Sequence, residues 1–155
     1  MIEKDELISL VPHRGRMYLL SRVKSYDMKA RRLEAEYDIT ENCLFFDPCA
    51  GGVPAWVSFE FIAQAISVLF GLTRREMGKK PEIGFIMSVS SVKSEIPVFK
   101  AGTTVEIKVK EINCMDMVYS FEGFVFLEGR KVFEGKLTAM DVQKIPEFSK
   151  GVYNN

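Results

Sequence analysis

The clearest periodicity in the chain lies at residues 33–39, where Leu33, Ala35, Tyr37 and Ile39 alternate with Glu34, Glu36 and Asp38. Period-two alternation sends one set of side chains to a dry face and the other to water, so this segment predicts a half-buried strand. Val105, Ile107 and Val109 alternate with Glu106, Lys108 and Lys110 in the same way. Around these, the pattern predicts a short helix over residues 5–10 stopped at Pro12, and a strand over residues 17–26 followed by a turn at 27–30. Residues 40–53 hold Asn42, Asp47, Pro48, Gly51 and Gly52 and read as an ordered loop. Four further strands are predicted over residues 83–96, 103–112, 117–127 and 131–142, parted by Pro97, Gly102, Asn113 and Gly129.

Residues 55–77 are different: they are apolar almost all round until Thr73, and as a helix they would run about 35 Å. Pro54 suits the first turn of such a helix, where its missing N–H costs nothing and its φ is already helical. The stretch is apolar enough to raise a membrane span, but Glu60 and Gln64 lie inside it and no basic anchor precedes it. A buried core helix is the reading, and no membrane span is expected. A helix with apolar residues on every side must be wrapped, which gives an α+β fold: one antiparallel sheet turning its dry face to a central helix. With no repeat, low-complexity tract or linker, residues 1–155 are expected to form a single domain, the tail over 146–155 being loosely held.

Composition narrows the function. The chain has 47% hydrophobic and 27% charged residues, which is globular usage, and 155 residues can bury one real core. Its 21 basic residues match 21 acidic ones, so no field exists to hold phosphodiesters and nucleic acid is not an expected partner. Cys43, Cys49 and Cys114 form an odd set without a CxxC pair, which speaks against a disulfide framework or a zinc site and for a reducing compartment. Residues 1–10 carry three acids and one lysine, unlike a secretory signal, so a cytoplasmic location is expected. No Gly-rich phosphate loop or metal-spaced His/Cys set is present, and no cofactor is expected.

Chemistry concentrates on the long helix. Glu60, Gln64, Ser67 and Gly71 follow the i, i+4, i+7, i+11 spacing and form one stripe. A carboxylate there either pairs with a buried arginine or, where substrate reaches it, works as an acid or base with a pKa raised by burial. Phe46, Asp47 and Pro48, then Val53, Pro54, Ala55 and Trp56, then Glu60, Ala63, Gln64 and Ala65 together resemble the active-site segment of FabA/FabZ-type 3-hydroxyacyl-[acyl carrier protein] dehydratases. Those enzymes read H-F-P, M-P-G and E-A-x-A-Q at the same spacing. Val11, Pro12, His13 and Arg14, with Leu19, Leu20, Ser21, Arg22 and Val23, are similar to their L-P-H-R and L-L-x-D-R-V segments. The run from Pro54 to Ala65 is closer still to the P-A-W-x-G-I-E-Y-M-A-Q-A of ApeP-type dehydratases, a branch associated with aryl-polyene-type lipid synthesis and thought to work beside a histidine-containing hotdog partner.

The resemblance implies a hotdog fold and an acyl-thioester enzyme that dehydrates 3-hydroxyacyl-[acyl carrier protein]. In that family a histidine removes the C2 proton and an acid on the helix protonates the departing hydroxyl. Glu60 holds the acid's position, while the histidine's position is Phe46, which cannot accept a proton. The amides of Ala55 and Trp56 map to the helix-start donors that polarise the thioester carbonyl. Phe46, Pro54 and Gln64 complete the expected substrate contacts. Asp47 reads either as a turn-stabilising aspartate before Pro48 or as the loop carboxylate that serves some hotdog thioesterases. Cys49 lacks a neighbouring histidine to activate it, and His13 with Arg14 reads as a structural pair bonding backbone near the helix. Arg74, Arg75, Lys79 and Lys80 complement the helix dipole or dock an acidic acyl carrier protein. The expected partners are therefore an acyl carrier protein and either a second copy of the chain or a second hotdog protein. A catalytically weak subunit and an acyl thioesterase remain the alternative functions.

Overall fold

The computed structural model describes residues 1–82 and 84–141; Ile83 and residues 142–155, which include the expected loose tail, lie outside the described residues. The half-buried strand read from residues 33–39 is β3, Arg32–Asp38, and its partner by alternation is β7, Thr104–Met115. Their register stacks Leu33 on Val109, Ala35 on Ile107 and Tyr37 on Val105, all buried, while Glu34 faces Lys108 on the wet side. β2, Arg22–Asp27, flanks β3, and a two-residue strand, β1, Ile2–Glu3, closes that edge ahead of the short helix α1, Lys4–Leu7.

After a 3-10 turn at Ala55–Val57 comes the long helix α2, Ser58–Glu76. It packs across β3, β7, β8 (Val118–Leu127) and, at its far side, β9 (Arg130–Asp141) and β5 (Gly84–Ser94). Phe61, Ile62, Ala65, Ile66, Val68, Leu69 and Leu72 are buried in one cluster with the inner faces of the strands. The span from 55 to 76 is long and apolar enough to cross a membrane, yet 67% of its apolar 18-residue stretch is buried inside the fold, as a core helix should be. Close approach has a sequence cause. A Cβ on Gly123 of β8 would collide with the Ile62 side chain, and one on Gly71 of α2 with the carbonyl of Leu10.

The seven-stranded sheet runs in the order β1-β2-β3-β7-β8-β9-β5, every pair antiparallel. Three of the four strands expected after the helix form a meander, but β5 crosses the sheet and pairs outside β9. It therefore becomes an edge, exposed along its whole length. The strand expected at residues 17–26 begins only at Arg22. Its first part is drawn away because Leu19 donates its amide to Gln64 Oε1 and the Met17 carbonyl accepts from Gln64 Nε2. The helix expected over 5–10 ends at Leu7 and unwinds through single turns at Ile8, Ser9 and Leu10. Inside the predicted loop, β4, Gly52–Pro54, pairs with β6, Val98–Lys100, so Pro54 is the end of a strand with ψ of 137° rather than a helical first-turn residue.

Substituting Gly71 with alanine is expected to lower unfolding free energy by about 2 kcal/mol, since backbone on both sides of the contact must shift. Gly135→Ala, where a Cβ meets only ordinary contacts beyond 3.6 Å with Val92 and Phe133, should change it by less than about 0.5 kcal/mol. Equal urea midpoints for the two variants would show that the helix does not sit this close to residue 10.

Candidate active site

The stripe of α2 that the sequence singles out faces the segment between Leu10 and Leu19. Gln64 is fully buried and makes three contacts: it accepts from Leu19 N at 2.7 Å, and donates to Met17 O at 2.7 Å and to Glu60 Oε1 at 2.9 Å. One side chain thus ties two backbone groups of an irregular segment and one carboxylate oxygen to the same helix turn. Both of its polar atoms are engaged within the chain, so Gln64 ties this part of the site together.

A cavity of about 290 Å³ opens between this segment, α2 and the start of β5. Along α2 it is lined by Glu60, Ala63, Ser67, Phe70 and Arg74, which lie on one side of the helix over about 21 Å of its axis. His13 and Glu60 stand at one end, Arg74 and Glu82 at the other, with Ile66, Phe70, Ile86 and Ala139 between. Such a slot suits an apolar chain with a reacting group at the Glu60 end.

His13 Nε2 lies 3.7 Å from Glu60 Oε1, both side chains being about a quarter exposed (28% and 23%). Burial pushes the His13 pKa below its usual value; the Glu60 carboxylate pulls it up and Arg14 pushes it down. Arg14 itself donates to the carbonyls of Val11 and His13, so it braces the loop as expected, while His13 turns inward to the carboxylate. Sequence alone suggests a structural role for this histidine, and the signal to the contrary is its partner. Glu60 and Gln64, one turn apart beside a helix glycine, mark the face against which the His13 segment packs.

The other expected residues fall elsewhere. Phe46 is half-buried against the core, and Asp47 Oδ1 accepts from the amides of Cys49 and Ala50, which is the turn-stabilising arrangement. Trp56 is 58% exposed and packs its ring on Phe59 and Phe45. None of these lines the cavity. The Ala55 amide, expected to be free, donates to Pro97 O at 2.8 Å because the β4–β6 pairing carries on one step past Pro54. The Trp56 amide follows at the first turn, where a helix supplies no acceptor. At the far end of α2 the basic cluster is partly neutralised: Arg74 is buried and 3.3 Å from Glu82, and Arg75 bonds Glu6 at 2.6 Å. Among the described residues, no three His, Cys, Asp or Glu side chains are grouped to hold a metal ion.

An antiparallel sheet laid against one long central helix, with a cavity along that helix, defines a hotdog domain. A model of the ApeP-like family, described as ApeP dehydratase, matches residues 6–150, and the chain belongs to that family. It is 30% identical over 139 residues to the 3-hydroxyacyl-[acyl-carrier-protein] dehydratase FabZ of Erythrobacter litoralis, covering 88% of this chain and 90% of that one. Among solved structures, the dehydratase heterocomplex ApeI:P from Xenorhabdus doucetiae is similar with a TM-score of 0.79 at 23% identity, over 87% of this chain and 90% of the other. Thioesterase superfamily member 2 from Mus musculus has the same fold at a TM-score of 0.57 and 12% identity, over 76% and 79%.

Replacing Gln64 with leucine is expected to cost about 2 kcal/mol of stability by stranding the Leu19 amide and the Met17 carbonyl. Amide hydrogen exchange at Leu19 should accelerate in the variant, and unchanged exchange there would refute the clamp.

Proposed function

We propose that the chain acts on 3-hydroxyacyl groups carried by an acyl carrier protein, removing water to leave the 2-enoyl thioester, with Glu60 as the acid/base. The observation that carries this reading is the placement of Glu60, beside His13, at one end of a slot on α2 whose middle is lined by Ala63, Ile66 and Phe70. An acyl chain lying along Ala63, Ile66 and Phe70 brings its thioester end to the start of the helix. There the positive end of the helix favours negative charge developing on the carbonyl oxygen. Membership of the ApeP-like family and the likeness to FabZ support the substrate class. The free thiols of Cys43, Cys49 and Cys114 suit a reducing, cytoplasmic setting.

A second reading has its own observation. Phe46 stands where the resembling dehydratases carry their histidine, and β5 offers an edge with Phe85, Ile86, Met87, Val89 and Val92 all exposed. An edge strand that long and apolar is a template for pairing. Because Gly84 and Ile86 of β5 also wall the cavity, a chain added there would border the reacting group. The added chain is a second hotdog domain, either another copy or a histidine-bearing relative. In the latter case this chain contributes Glu60 or only scaffold.

Dehydration of short 3-hydroxyacyl-[acyl carrier protein] by the purified protein should fall at least about a hundredfold in Glu60→Gln, the least expected for losing a general acid/base. Thiol release followed in the same tube would move the assignment to a thioesterase, and inactivity in both assays would favour the partner-subunit reading. Met87→Lys should keep the native circular dichroism and shift the sedimenting species to monomer, with a thermal midpoint that no longer rises with protein concentration. An unchanged oligomer would exclude the β5 edge as the interface.

A further inference from the structure

Both contacts of the Glu60 carboxylate fall on one oxygen. Gln64 Nε2 donates to Oε1 at 2.9 Å and His13 Nε2 faces the same atom at 3.7 Å, while Oε2 has no hydrogen bond or ion pair among the described residues. On the other side of the imidazole, Nδ1 is buried without a hydrogen-bond partner. Oε1 of an ionised carboxylate can only accept, so the ring nitrogen that faces it carries the hydrogen: the neutral tautomer is Nε2–H, and Nδ1 is left unprotonated and without a donor. Burial of the ring disfavours its charged form. The charged groups facing His13 are Glu60 on α2 and Arg14 beside it, with Arg74 and Glu82 across the cavity at its far end.

We propose that His13 is the positioning residue of this cavity: its neutral Nε2–H, together with the Gln64 amide, fixes Oε1 of Glu60 and leaves Oε2 as the one atom that moves the proton. This rests on the dehydratase reading of the site. Glu60 begins as the carboxylate, and Oε2 takes the C2 proton of the 3-hydroxyacyl thioester. The C–H electron pair becomes the C2=C3 bond as the C3–O bond breaks, and the same proton passes from Oε2 to the departing oxygen to make water. Glu60 returns to the carboxylate and no outside acid is consumed. One carboxylate so anchored replaces the separate base that Phe46 cannot be. At 3.7 Å the His13 contact is longer than a direct hydrogen bond, and it closes by side-chain rotation or through one water when the cavity fills.

His13 is the chain's single histidine, so imidazole NMR signals report it alone. The wild-type protein should show the Nε2–H tautomer and a midpoint below 6.5. In Glu60→Gln the midpoint should drop further, because the carboxylate that pulls it up is gone. Identical titrations in the two proteins, or an Nδ1–H tautomer, would overturn the pairing whatever the activity. On acyl-[acyl carrier protein], His13→Ala should lose about tenfold to a hundredfold in kcat, and His13→Gln, which keeps a donor near the Nε2 position, should recover most of it. Equal losses in both variants would mean that the imidazole is itself the base and overturn the positioning role. A wild-type protein that shows the NMR coupling but dehydrates nothing would remove the dehydratase reading and leave the pair standing.

Discussion

The structure depends on one buried amide. Gln64 satisfies a backbone donor and a backbone acceptor that no strand reaches, and at the same time holds a carboxylate oxygen one turn earlier on its own helix. Buried polar groups left unpaired are costly, so the chain between Leu10 and Leu19, which holds a 3-10 turn at Gly15–Met17, can stay out of the sheet because this side chain stands in for a neighbouring strand. That segment in turn brings His13 to Glu60. Fold and site therefore share a fastening, and the residue that looks like a substrate contact in the sequence is the one that makes the cavity's polar end possible.

Much of the frame was legible from alternation and length alone. β3 and β7 pair in the register that their wet and dry faces require, and a helix apolar on nearly all sides could only be a core helix. What escaped was non-local. Nothing in residues 17–21 says that their backbone will bond to a glutamine far along the chain, so the pattern starts the strand five residues too early. Likewise β5 carries the same apolar composition as the strands that follow it, and periodicity cannot say that it crosses to the far edge. β4 and β6 are three residues each, too short to leave a pattern.

The site was legible in part for the same reason. Glu60 was visible because a charge on a buried helix is rare, and Asp47 was weighed against its turn role, which the structure gives it through Cys49 and Ala50. The Ala55 amide could not be judged, because its acceptor is Pro97, on a strand pairing that the sequence did not announce. The His13–Glu60 contact leaves no local signal, since the two residues lie nearly fifty positions apart in the chain.

The geometry also bears on how a site can lose a residue and keep a function. A base on a loop needs its own support, whereas a carboxylate on a core helix is fixed by packing that the fold requires anyway. Donors supplied by backbone and by a buried glutamine are insensitive to substitution at exposed positions, so the machinery most able to survive divergence is the part carried by α2 and its N-terminal strap. The loop around Phe46 and the β5 edge are the parts free to change. A chain that keeps the helix and its strap while presenting an apolar edge beside the cavity can be completed by its own copy or by another hotdog chain, because the edge binds through backbone and leaves the reacting groups in place.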